Sequence, residues 1–208
     1  MVGLDEVGRG AWAGPVTVGA VVWDASMPTE GVRDSKLIAP DERERVAAIL
    51  TPAVDHGVGH ASPREIDELG MTAALRVAAL RALGMLRSTS GEMPDMAIMD
   101  GTVDFLAGVV TTECLPKADL RCTSVAAASI IAKVTRDALM VAESQRFDGF
   151  EFGANKGYPA PPHQQALRDR GPTELHRHSW QPVRDVLGRG PYPRRPYIEP
   201  AAPDPTLF

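Results

Sequence analysis

Cysteine and long apolar runs are scarce in this 208-residue sequence. The two cysteines, Cys114 and Cys122, cannot build a disulfide framework or a Cys-rich zinc site. No run approaches the roughly 20 apolar residues that a membrane span needs. Residues 1–5 lack the basic and apolar regions of a signal peptide. We therefore expect a cytoplasmic protein without a membrane anchor, and the sequence shows no internal repeat.

A general excess of basic residues is also missing, since the net charge is −5. This argues against a protein that coats nucleic acid with a uniformly basic surface. Residues 155–195 nevertheless hold eight Lys or Arg and three Asp or Glu, a local charge of +5 that leaves −10 on the rest. Such a segment can form an anion-binding face, although charge alone favours an ordinary solvated surface. With 44% apolar and 24% charged residues, the chain can bury the core of one domain.

Local patterning predicts strands that alternate with helices after an opening strand–turn–strand. The predicted strands are residues 2–6, 16–23, 55–61, 96–100 and 109–114. The predicted helices are residues 41–50, 71–86, 125–142, 163–170 and 180–187, with a capping box at 62–65 and a loop at 88–92. This order of elements favours an α/β sheet with helices on its faces.

The segment from Asp5 to Gly10, with the sequence DEVGRG, places two adjacent carboxylates at the end of the first predicted strand. Successive strand side chains point to opposite faces of a sheet. Asp5 and Glu6 can therefore serve one site only where the strand ends or bends, which the following glycines permit. Taken alone, the pair is explained more simply as part of a charged surface turn.

Three further carboxylates occupy comparable positions. Asp100 ends a predicted strand, Asp119 lies just before an Ala-rich predicted helix, and Asp137 lies inside that helix. Carboxylates from several strand ends can converge on Mg²⁺ or Mn²⁺, which prefer oxygen ligands. Singly, each is more simply a helix cap or one half of a surface ion pair.

Taken together, these segments resemble the ribonuclease HII family. The matching blocks stand in the family's order and cover about residues 2–187. They are residues 3–10 with 13–16, then 34–36, 98–101, 117–119, 126–137, 156–158 and 176–180. Several blocks in one order are far more specific than any single motif.

The resemblance implies four acidic metal ligands, Asp5, Glu6, Asp100 and Asp119, which would bind Mg²⁺ or Mn²⁺ in a two-metal site. These four are also the implied catalytic residues. Asp137 matches a family motif too. It ranks lower because the family's fourth ligand precedes the Ala-rich helix, where Asp119 stands.

The resemblance also implies residues that bind the substrate. Gly8, Arg9, Gly10 and Tyr158 match family residues that sense the 2′-hydroxyl at an RNA–DNA junction, and Lys36 matches a lysine near the scissile phosphate. Less specific matches are expected to hold the substrate backbone or to support the site, with helix packing and capping as the alternatives. These less specific matches are Ser129, Lys133, His163, Arg177 and Ser179.

The implied architecture is a ribonuclease H-like fold, in which helices flank a central, mainly five-stranded mixed sheet. Residues 1–154 would form the catalytic core and residues 155–187 a small helical C-terminal extension that contacts substrate. Residues 188–208 contain six prolines and little core material, which is typical of a flexible tail. This tail lacks the aromatic pair that docks on a sliding clamp, and we expect a monomer.

The implied activity is that of a metal-dependent endonuclease of the ribonuclease H type. Its partners would be RNA–DNA hybrids and duplex DNA that contains single ribonucleotides, as in ribonucleotide excision repair. Cleavage 5′ to the ribonucleotide would leave 3′-hydroxyl and 5′-phosphate ends. Two alternatives stay open. One is a hybrid nuclease that needs a run of ribonucleotides, although the long N-terminal domain expected of ribonuclease HIII is missing. The other is a non-catalytic nucleic-acid-binding module, which four candidate ligands disfavour.

Overall fold

The core of the fold is a mixed sheet of five strands in the order β3-β2-β1-β4-β5. A computed structural model describes residues 1–24, 26, 27, 29, 31, 32, 35, 38–91 and 93–190, without the side chains of residues 88–90. The strands are Val2–Val7 (β1), Val16–Val22 (β2), His56–Ala61 (β3), Met96–Asp100 (β4) and Thr111–Leu115 (β5). β1, β2 and β3 pair antiparallel, whereas β4 pairs parallel with both β1 and β5. The predicted α/β class and the five-stranded mixed sheet are confirmed.

Helices cover both faces of this sheet. They are Pro40–Leu50 (α1), Pro63–Leu69 (α2), Met71–Ser90 (α3), Thr123–Ser144 (α4), Phe152–Asn155 (α5), Pro161–Arg170 (α6) and Gln181–Val186 (α7), with a 3₁₀ turn at Ala118–Leu120. The capping box predicted at Ser62 and Glu65 is present. The predicted loop at 88–92 is wrong for residues 88–90, because α3 continues to Gly91, which ends it in the left-handed conformation.

Strand alternation divides the core between the two faces. Val16, Val18 and Ala20 of β2 pack into the cluster that contains α3, whereas Val21 packs with α1 and α4. α4 lies unusually close to the strands, since a Cβ added at Gly3 or Gly19 would stand 2.5 Å from α4 backbone atoms. The small residues along α4 therefore bring its backbone directly onto β1 and β2.

One buried stripe of α4 leads from the sheet toward the turn after β1. Its members are spaced four residues apart, so they lie along one side of the helix. They are Ala128, Ala132, Arg136 and Met140, each with no exposed surface. The third position of this otherwise apolar stripe thus carries a guanidinium group into the protein interior.

The C-terminal segment packs on the start of the chain. Phe150 and Phe152 stack with ring centroids 5.4 Å apart and contact Ala13 and Met140 in one cluster. The Ala13–Gly14 backbone bonds the segment directly: Ala13 N–H donates to Gly157 and Gly14 N–H to the Leu175 carbonyl. This packing extends across residue 155, so the predicted extension lies against the predicted core. In the described part of the chain, no helix has the length and apolar character needed to cross a bilayer.

Candidate active site at the ends of β1 and β4

Asp5 and Asp100 lie side by side at the sheet edge where β1 and β4 end. The two strands run parallel, and the last paired position before these carboxylates is Leu4 with Met99. Alternation along each strand puts Asp5 on the face of Gly3, which abuts α4, and Asp100 on the face of Ile98, which packs with Val125 of α4. Both carboxylates therefore belong to the α4 side of the sheet, and Asp5 is only 4% exposed.

Glu6 does not share that face. β1 continues in register with β2 through Val7, so it neither ends nor bends at Glu6, and alternation turns the Glu6 side chain away from Asp5. Burial raises the pKa of the Glu6 carboxyl, and the negative charge of Asp100 raises it further. Arg9 opposes both effects from 3.4 Å away. The Glu6 carboxyl is thus close enough to Asp100 for their charges to interact, but its ion pair is with Arg9.

Asp119 is tied to Asp100 through the backbone. It lies in the 3₁₀ turn, which follows Lys117 in a left-handed conformation with φ of 58°. The Ala118 N–H donates to Asp100 Oδ1 at 2.8 Å. Asp119 is buried, with 5% of its surface exposed. The turn and the end of β4 are therefore one local unit that carries two carboxylates.

The four carboxylates are neighbours, but they are not gathered into a closed ligand set. Within the described residues, no three or more Asp, Glu, His or Cys side chains are grouped so that they could hold a metal ion. Two of the four are bonded to backbone N–H groups, since Asp5 accepts from Glu6 and Asp100 from Ala118. Like charges in such a set repel one another. The donors are all carboxylate oxygens, which is the chemistry that Mg²⁺ and Mn²⁺ prefer.

The turn that follows β1 contains two glycines with different surroundings. Gly8 has a φ of +85°, and a Cβ there would overlap the Arg136 guanidinium. The Ala11 N–H donates to the Gly8 carbonyl at 3.2 Å and closes the turn. Gly10 is exposed and has open space where its Cβ would stand. Gly8 is therefore required by the packing of the turn, whereas at Gly10 a second molecule can approach the backbone.

Tyr158, which the resemblance groups with Gly8 and Gly10, lies against this turn. Its hydroxyl accepts a hydrogen bond from the Gly8 N–H at 3.2 Å. Its ring faces two cations of α4, with Lys133 Nζ 5.8 Å and Arg136 Cζ 5.5 Å from the ring centroid. Lys133 also pairs with Asp137 at 2.7 Å. Lys133 and Asp137 thus stand beside Tyr158, and each is about 20% exposed.

Two buried histidines support Tyr158 from beneath. His163 Nδ1 lies 2.8 Å from the Tyr158 carbonyl, and the Nε2 atoms of His163 and His176 are 3.1 Å apart. His176 Nδ1 accepts from the Thr173 N–H at 2.9 Å, so this nitrogen carries no proton. His176 therefore donates from Nε2 to His163, and His163 donates from Nδ1 to the Tyr158 carbonyl. The hydrogen bonds therefore all run from His176 through His163 to the Tyr158 carbonyl, and both rings are neutral.

Two further predicted residues, Ser129 and Ser179, contact parts of the protein outside this turn. Ser129 is buried, and its hydroxyl lies 2.8 Å from that of Ser35. The Ser179 N–H donates to Asp67 Oδ1 at 2.8 Å, which ties the C-terminal segment to α2. These contacts favour support of the site over direct contact with substrate. Lys36 lies outside the described residues.

The sequence motifs did not single out Arg136 or Asp67, which the structure places in contacts that support the site. Arg136 lies within residues 126–137, which match the family. Its four-residue spacing from Ala132 and Met140 is the signal that predicts its burial. Asp67 bonds the backbone N–H groups of both His178 and Ser179. More than 100 residues separate Asp67 from these partners, and no local signal connects them.

Known structures and sequences are similar to this chain in fold and sequence. The ribonuclease H2 of Pyrococcus horikoshii OT3 matches with a TM-score of 0.74 and 31% identity, covering 90% of this chain and 96% of that one. The structure of Bst-RNase HIII in complex with Mn²⁺ matches with a TM-score of 0.72 and 23% identity, covering 90% of this chain and 68% of that one. A ribonuclease HII of Streptomyces griseus is 50% identical over 184 residues, 86% of this chain and 76% of that one.

The fold and these matches define an endonuclease of the ribonuclease H class, which acts on RNA–DNA hybrids. Within that class, residues 2–183 match the family model described as ribonuclease HII. The chain belongs to the ribonuclease HII family.

Proposed function

We propose that this ribonuclease also cleaves duplex DNA at single embedded ribonucleotides. In this proposal it cuts 5′ to the ribonucleotide and depends on divalent metal held by Asp5, Glu6, Asp100 and Asp119. The observation that supports it best is the adjacency of Asp5 and Asp100 at parallel strand ends, with Asp119 joined to Asp100 through Ala118. Family membership supports the same ligand set.

Mg²⁺ or Mn²⁺ would supply water activation and stabilisation of the leaving oxygen. Bst-RNase HIII, a structural neighbour, holds Mn²⁺. The protein's own contribution is to fix its carboxylates on rigid elements. β1 and β4 hold Asp5 and Asp100 by ladder hydrogen bonds, and the 3₁₀ turn holds Asp119. Closing the ligand set requires the Glu6 carboxyl to leave Arg9, 3.4 Å away, and to turn toward the face that carries Asp5.

Selection of a ribonucleotide depends on the turn after β1 and on Tyr158. The 2′-hydroxyl is both a donor and an acceptor, and it alone distinguishes a ribonucleotide sugar from a deoxyribonucleotide sugar. The open side of Gly10 admits a sugar close to the backbone. The Tyr158 hydroxyl, held by Gly8, offers a polar group at the same turn. A site that bonds a hydroxyl can reject the analogue without it by a factor of about 10⁴.

A substrate panel tests this proposal. The protein is incubated with a long RNA–DNA hybrid, a DNA duplex with one ribonucleotide, and an all-DNA duplex, each with Mg²⁺, Mn²⁺ or a chelator. We expect cleavage of the first two substrates, none of the third, and none with chelator. The single-ribonucleotide product should end at the deoxynucleotide that precedes the ribonucleotide, with a 3′-hydroxyl. Cleavage of the hybrid alone would contradict the proposal and favour an enzyme that needs a run of ribonucleotides.

A further inference from the structure

Two arginines lie fully inside the protein, directly beneath the turn after β1. Arg136 of α4 and Arg177 of the C-terminal segment both have 0% of their surface exposed. Together they donate seven hydrogen bonds of 2.6–3.2 Å, all to main-chain carbonyl oxygens. The acceptors of Arg136 are Ala13, Pro15 and Lys156, and those of Arg177 are Gly8, Arg9 and Gly14.

Their placement carries an energetic cost. Burial, and to a smaller extent the nearby charge of Arg136, lower the pKa of the Arg177 guanidinium to about 9. Buried charges are usually paired with an opposite charge or hydrogen-bonded throughout. Here main-chain carbonyls take the hydrogen bonds, so the two guanidinium groups fix the path of the backbone. Two cations kept in one interior at this cost indicate a use for the backbone shape that they impose.

The geometry of the peptide unit shows what that shape presents. In a trans peptide the C=O of one residue and the N–H of the next point in opposite directions. Arg177 draws the carbonyls of Gly8 and Arg9 inward, at 2.6 and 2.9 Å. The N–H groups of Arg9 and Gly10 are consequently aimed outward, on exposed residues. Among the described residues, neither of these two N–H groups has a hydrogen-bond partner within the protein.

We propose that Arg177 is a positioning residue that holds the Arg9 and Gly10 N–H groups ready to bind the sugar–phosphate backbone of the substrate, with Arg136 filling the space beside Gly8. This deepens the proposed function, because it assigns how the turn is kept in its binding shape. It also gives the C-terminal segment a role at the site, since Arg177 of this segment bonds the backbone of residues 8–14 from the protein interior. Arg177 itself never contacts substrate.

Arg76 offers a matched comparison elsewhere in the fold. It is 6% exposed and donates from Nη1 to the carbonyls of Phe105 and Ala107, at 3.1 and 3.0 Å. It therefore performs the same kind of backbone tethering in a loop that carries none of the candidate site residues. Changing Arg76 reports the general effect of replacing a buried, carbonyl-bonded arginine.

The test compares Arg177→Lys with Arg76→Lys in the full chain. Lysine keeps the charge but cannot reproduce the planar fork that spans three carbonyls. At a temperature where circular dichroism shows both variants folded, we expect KM for the RNA–DNA hybrid to rise at least about fivefold in Arg177→Lys, with a smaller change in kcat, as for lost substrate binding. The Arg9 and Gly10 amide resonances should shift in Arg177→Lys and stay in place in Arg76→Lys.

The two variants separate positioning from general packing. A KM for Arg177→Lys no higher than that of Arg76→Lys, or unmoved Arg9 and Gly10 resonances, would overturn the inference. Should Arg177→Lys fail to fold, Arg177→Gln, which keeps amide donors at lower charge, is measured in the same way. The hybrid readout does not depend on single-ribonucleotide cleavage, so failure of that activity in the wild type would refute the proposed function and leave this test standing.

Discussion

Gly8 and Gly10 belong to one short motif, yet the structure explains them differently. Gly8 has a positive φ and makes room for the Arg136 guanidinium, so its requirement is internal. Gly10 has ordinary backbone geometry and nothing near its missing side chain. The resemblance implies that both glycines sense the 2′-hydroxyl. At Gly10 the open space lets a second molecule reach the backbone, whereas Gly8 donates its N–H to Tyr158.

This difference predicts opposite outcomes for two alanine substitutions. The Gly8→Ala variant should unfold at a lower urea concentration than the wild type, because the new methyl group overlaps Arg136. Gly10→Ala should keep wild-type stability to within about 0.5 kcal/mol and still lose at least tenfold in cleavage at a single ribonucleotide. Urea unfolding and cleavage rates check both.

The control for these substitutions is Gly84→Ala in α3. A Cβ added at Gly84 would also stand in free space. It should gain about 0.5–1 kcal/mol from helix propensity and leave cleavage unchanged. Full activity in Gly10→Ala would show that no substrate group approaches this residue closely.

At the scale of elements, the C-terminal segment is held by a hydrogen-bond chain that works only with neutral histidines. Burial, and to a smaller extent the neighbouring His163 and His178, lower the pKa of His176 to about 3. Burial also lowers the pKa of His163, while its bond to the Tyr158 carbonyl opposes this. Protonation of either ring would set two N–H groups against each other. The hydrogen bond between His163 and the Tyr158 carbonyl therefore belongs to the neutral state of both rings.

The sign of the effect on stability follows from linkage. His176 binds a proton near pH 6.5 when unfolded and only near pH 3 when folded, so stability declines as the pH falls below about 6.5. Between pH 7.5 and 5.5 this group should cost about 1.4 kcal/mol of unfolding free energy. His176→Gln, which can still accept from Thr173 and donate to His163, should show a decline smaller by that amount in urea unfolding. An equal decline in both proteins would contradict the burial of a neutral His176.

The elements themselves were largely predictable from sequence, but their faces were not. The spacing of α4 and the β-branched run of β2 give clear local signals, and both elements form as predicted. By contrast, the strand could have ended at Glu6 and brought it to the same side as Asp5. Pairing with β2 decides otherwise, and pairing is a property of the sheet. The 3₁₀ turn around Asp119 and the four-residue α5 are too short for a periodic signal.

The whole molecule joins residues from distant parts of the chain at one sheet edge. β1 lies in the middle of the sheet beside β4, which brings Asp5 next to Asp100. Arg177 and Tyr158 then reach the turn after β1 from more than 140 residues away. Separate from these carboxylates, the C-terminal third carries exposed basic residues that include Arg168 and Arg170. The proposed function therefore assigns duplex binding and metal binding to different groups, the first to basic side chains and the second to carboxylates.

This separation makes Asp100→Asn the most direct test of the catalytic assignment. The control is Asp104→Asn, since Asp104 lies four residues away and bonds Leu106 and Thr112 rather than the site. Cleavage of the single-ribonucleotide duplex in Mg²⁺ and binding of the same duplex without metal are measured for both variants. We predict that Asp100→Asn lowers turnover at least about a hundredfold, which corresponds to about 2.7 kcal/mol. Its affinity for the duplex should stay within about threefold of the wild-type value. Asp104→Asn should leave both turnover and duplex affinity near the wild-type values. Near-normal turnover by Asp100→Asn would contradict the account.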